Sequence, residues 1–73
     1  MVEEQYILEQ LEILYAQLEE VEAYHALYCM GPKKDPQKCA EVEEEGRRIW
    51  REIRRLQKRL SEIEDILTLS TEY

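Results

Sequence analysis

The 73 residues contain no phenylalanine and no asparagine, and only two glycines, two prolines, two cysteines, one histidine and one tryptophan. With so few turn-forming residues there is room for few chain reversals, which excludes a sheet protein and leaves an all-α chain. No apolar run approaches the ~20 residues of a membrane span, and Met1-Val2-Glu3-Glu4-Gln5 lacks the basic-then-apolar start of a signal peptide. The expectation is therefore a cytoplasmic protein with no membrane partner. A lack of Asn beside 37% charged residues is a thermophile tendency, so a thermostable protein is expected. There is no Gly-rich phosphate loop, and the only histidine, His25, is remote from Ser61 and Ser70, so no nucleophile, base and orienting group come together. The chain reads as a non-enzyme, and no cofactor is expected.

What is present is helical periodicity. From Ala40 to Leu69 apolar residues recur at Val42, Ile49, Ile53, Leu56, Leu60, Ile63 and Leu67, the alternating three- and four-residue steps of a coiled-coil seam. Ile7, Leu11, Leu14, Leu18, Val21, His25 and Tyr28 form a second such seam upstream. Between them, Gly31 suits a left-handed position after a helix end, and Asp35-Pro36 reads as an N-cap followed by the N1 proline. The prediction is one domain over 1–73: helix 2–29, loop 30–35, helix 36–69 and a frayed tail 70–73, folded as an antiparallel helical hairpin.

Aligning the seams antiparallel puts Val21 opposite Gly46, Leu18 opposite Ile49, Leu14 opposite Ile53 and Leu11 opposite Leu56. Charge agrees with this pairing. The first helix holds seven acids and no Lys or Arg, whereas residues 47–59 hold seven basic residues and one acid, Glu52. In that register Glu19 and Glu20 lie level with Arg48 and Arg47, and Glu12 with Arg55, a bias on orientation more than a source of stability. Gly46, at a seam position inside the second helix, reads as a site of close helix approach.

A chain this short rarely gains more than ~3–5 kcal/mol from its core alone, so a staple or self-association is expected. Both have candidates. Cys29 and Cys39 would close a short loop as a disulfide. The first helix also carries more apolar surface than one neighbour can cover: Leu8 and Tyr15 widen it on one flank, Tyr6, Ile13, Tyr24 and Leu27 on the other. With Trp50 at a helix-helix edge, these residues mark an interface for a homodimeric four-helix bundle or for another protein. The function expected is a structural or protein-interaction module.

Other readings remain open. Glu22, His25, Cys29, Cys39 and Glu43 cluster near the loop, and His25 with the two cysteines would offer three soft ligands for zinc, a carboxylate or water being the fourth. Glu22-Ala23-Tyr24-His25 is also the Glu-x-x-His step used in di-iron four-helix bundles. The basic face of Arg47, Arg48, Arg51, Arg54, Arg55 and Lys58 could follow a phosphate backbone, as in the hairpin dimer of the Rop type, an analogy of architecture only. A net charge of −7 opposes nucleic acid and suits instead an acidic, nucleic-acid-mimicking inhibitor. Glu62-x-x-Asp65 resembles one half of the paired magnesium motifs of all-α nucleotide pyrophosphohydrolases, but the EExxE half is missing.

Overall fold

In the computed structural model residues 2–71 are described, with side chains for 2–68; Met1, Glu72 and Tyr73 lie outside the described residues. Among the described residues there are two helices, α1 (Val2–Tyr28) and α2 (Pro36–Thr71). They run antiparallel: Glu3, at the start of α1, meets Arg59 late in α2, while Cys29 and Cys39 join across the loop. The result is a rod of 60 × 15 × 14 Å. The sequence places the first helix end at residue 29, one residue beyond Tyr28, although the Cys29 amide still donates to the His25 carbonyl at 2.8 Å. Backbone helix continues through Ser70 and Thr71, where fraying was expected.

The loop closes as its residues dictate. Asp35 caps α2: its Oδ1 accepts from the Lys38 amide at 3.2 Å, and its carbonyl accepts the first helical bond from Cys39 at 2.8 Å. The Asp35 amide itself donates to the Tyr28 carbonyl at 3.0 Å, tying the two helix ends together. Gly31 departs from expectation, since among the described residues none has positive φ. Its glycine is needed for space instead. A Cβ there would fall 2.6 Å from the Leu27 carbonyl oxygen, which any larger residue would have to displace.

The core is the expected seam. Ile7, Leu11, Leu14 and Leu18 of α1 bury against Ile49, Ile53, Leu56 and Ile63 of α2, with Val21 and Leu60 packed at the margins. Val21 faces Gly46 as the register requires, with Val21 Cγ1 3.5 Å from where a Gly46 Cβ would sit. That is ordinary contact distance, so the helices do not approach closely enough to demand glycine. Leu67 leaves the seam: it is exposed, as is Ile66. The reason is length, because α2 has 36 residues and α1 only 27, and the last turns of α2 overhang the start of its partner.

The cross-helix alignment of acids and arginines resolves into mostly local pairs. Arg47 binds Glu44, Arg48 binds Glu45 and Arg55 binds Glu52, each three residues apart on α2. A neighbour on the same helix surface is reached without crossing the seam, so it wins over a residue that is merely level on the other helix. Arg59 is the exception, clasping Glu3 of α1 through Nε at 2.6 Å and Nη2 at 3.1 Å.

Candidate functional site

Two regions collect the residues of interest, one along α1 and one at the loop end. On α1 apolar side chains lie on nearly every side, whereas α2 gathers most of them in the seam, with Trp50 and Ile66 exposed outside it. The closed hairpin consequently leaves Tyr6, Leu8, Ile13, Tyr24 and Leu27 about half exposed, between 49% and 58%. Tyr15 and Trp50 are also exposed. Tyr15 is not free, because its hydroxyl accepts a hydrogen bond from Gln57 Nε2 of α2 at 2.7 Å, fixing that flank of the hairpin. Trp50 borders a groove between the helices with Val21, Val42 and Gly46, and its carbonyl accepts from Arg54 Nε at 3.4 Å. The Ile13, Tyr24 and Leu27 side of α1 therefore stays about half exposed in the hairpin.

At the loop end, helical spacing brings the second cluster together. His25 and Cys29 are four residues apart at the end of α1, and Cys39 and Glu43 are four apart in the first turns of α2, so each pair shares a face. The antiparallel arrangement lays the two pairs against each other. Cys29 and Cys39 stand at disulfide-bonding distance with Cα atoms 5.1 Å apart. The ligand atoms of His25, Cys29 and Glu43 all lie within 4.8 Å of one another. Glu43 Oε1 sits 3.2 Å from Cys39 Sγ. In the disulfide that sulfur has no proton to donate, so carboxylate and sulfur are two electron-rich atoms in contact; a hydrogen bond forms there only in the free thiol. Glu22 borders the adjoining groove with His25 and Glu43 but stands outside the tight set.

Aromatic packing frames this end. The Tyr24 and Tyr28 rings stack at 6.1 Å between centroids, and Lys38 Nζ lies 5.1 Å from the centre of the Tyr28 ring. The loop and the first turn of α2 are thereby held against the last turns of α1.

The basic face of α2 is largely spoken for by its own acids. Hydrogen bonds from Arg47, Arg48 and Arg55 hold the carboxyls of Glu44, Glu45 and Glu52 below their ordinary value, and the Arg48 and Arg55 guanidiniums are raised in return. The Arg59 hydrogen bond does the same to Glu3. Arg51 makes a longer contact with Glu44, 4.0 Å. Counting residues 44–62, seven basic groups less four acids leave a charge of +3, a weak track for a polyanion. Among the described residues no helix is long and apolar enough to cross a membrane. No protein family, curated protein or solved structure matches the chain.

Proposed function

We propose that this protein is a non-enzymatic interaction module whose hairpin associates with a second copy of itself through α1, giving a four-helix bundle with α1 at the centre. The observation that carries this reading is the exposed Tyr6, Ile13, Tyr24 and Leu27 side of α1 in a hairpin whose seam is already closed. A helix with apolar groups around most of its circumference is stable in water only when more than one neighbour covers it. α1 carries seven acids and no Lys or Arg, while residues 44–62 of α2 keep a net +3, so a second copy can set its α2 beside this α1.

Ile13 and Leu27 face away from the seam, so changing them leaves the hairpin core intact. The Ile13→Glu, Leu27→Glu double variant is expected to stay helical and sediment as a single chain of 8.8 kDa, because each new carboxylate would have to be desolvated at the interface. A double variant that retains the parent's assembly state would remove α1 from the interface.

A further inference from the structure

We propose that the loop end is a redox-selected staple: closed by the Cys29–Cys39 disulfide when oxidised, and by one zinc ion held between His25, Cys29, Cys39 and Glu43 when reduced. The inference stands on the loop-end geometry and is independent of whether the hairpin self-associates.

Each helix contributes one pair of donors a single turn apart, His25 with Cys29 and Cys39 with Glu43. The set is one imidazole, two thiolates and one carboxylate, a donor mixture suited to tetrahedral zinc. With zinc-ligand bonds of roughly 2.0–2.3 Å, ligand atoms of a tetrahedral site stand roughly 3.3–3.8 Å apart. The His25, Cys29 and Glu43 atoms already lie within 4.8 Å of one another, and Glu43 Oε1 is 3.2 Å from Cys39 Sγ. Closing from 4.8 Å to that spacing asks the His25, Cys29 and Glu43 atoms to move by about an ångström, and reduction lets the two sulfurs part to the same spacing. The Glu43 contact is the telling one. A carboxylate against a disulfide sulfur gains nothing from it, whereas beside a thiol it accepts a proton, and beside a thiolate it can share a cation. His25, Cys29 and Cys39 are partly buried and Glu43 is exposed next to the interhelical groove, so an ion has a route in.

The two states exclude each other, since sulfurs joined to one another are not thiolates. Two equivalents of a small thiol pass two electrons and two protons to Cys29 and Cys39 and leave as their own disulfide. Zinc then binds the dithiol and releases both thiol protons. Either cross-link spans the same ten-residue separation. The hairpin thus keeps a staple in an oxidising and in a reducing compartment.

The test uses the full chain, reduced with a phosphine, freed of excess reductant under argon and titrated with Co²⁺, then with Zn²⁺. The expected result is one Co²⁺ per chain with a sulfur-to-cobalt charge-transfer band, abolished by Zn²⁺ and absent from the oxidised protein. His25→Ala should weaken binding by on the order of 100-fold, and the Cys29→Ser, Cys39→Ser double variant should lose the band. If reduction melts helix at the loop end, zinc should restore the far-ultraviolet circular dichroism. Metal uptake without the band, uptake equal in the double serine variant, half an ion per chain, or a reduced chain that zinc leaves unfolded would each overturn the proposal.

Discussion

The two glycines illustrate how one residue type serves opposite purposes. At Gly31 a methyl group would run into the Leu27 carbonyl, and backbone must shift to admit it. Gly46 lies in the interior of α2 with only Val21 Cγ1 nearby, at contact distance. Glycine there sacrifices about 1 kcal/mol of helix propensity with no steric need. Gly46→Ala is therefore expected to stabilise the protein by about 1 kcal/mol, and Gly31→Ala to destabilise it, both read from thermal or urea midpoints. A loss of stability in Gly46→Ala would mean that the helices pack closer than 3.5 Å implies. Neither outcome was legible in the sequence. Composition marks glycine as exceptional, but whether it supplies φ freedom, space or nothing depends on atoms from elsewhere in the chain. Asp35 was legible, because an Asp-Pro step at a helix start carries its own local geometry.

At the scale of the helices, the seam was readable and the side-chain partners were not. Three- and four-residue spacing identifies Ile7, Leu11, Leu14 and Leu18 as core because burial follows the helix period. Arginine and glutamate are long and solvated, and which acid an arginine takes is decided among several neighbours of nearly equal energy. Glu20 is level with Arg47, yet Arg47 takes Glu44 on its own helix. Leu67 shows a different gap, since its periodicity is right and only the shorter length of α1 leaves it without a partner. These ion pairs set the acid response. Glu3, Glu44, Glu45 and Glu52 have carboxyls held below the ordinary 4.5 by arginine hydrogen bonds. A depressed folded-state value stabilises above the unfolded value and is lost as pH falls through the lowered one. Stability is expected to be flat above 4.5 as far as these groups are concerned and to decline below it, with added salt shrinking the effect because all four are exposed. Of these four carboxylates Glu3 is the one that reaches the other helix, so Glu3→Gln should loosen the open end of the hairpin, seen as faster amide exchange near Arg59. Unchanged exchange there would show that the Arg59 clasp adds nothing to the fold.

For the molecule as a whole, the loop-end staple and the α1 surface answer the same shortage of core. Among the described residues eight buried side chains make up the interior of a 60 Å rod. Closing a loop of ten residues' separation is worth about 3 kcal/mol by loop-closure entropy. Reduction in the presence of a chelator is thus expected to lower the urea midpoint substantially, by about that free energy, while leaving the slope nearly unchanged. An unchanged midpoint would make the bond irrelevant to stability. The second contribution is association through the face that α2 leaves uncovered, and this is the central claim. Absolute mass by light scattering after size exclusion, over a wide dilution range and in both redox states, tests it most directly. The account predicts twice the 8.8 kDa chain mass at high concentration, with the mass falling towards that of one helical chain on dilution. A folded chain that stays at 8.8 kDa throughout the range would contradict it.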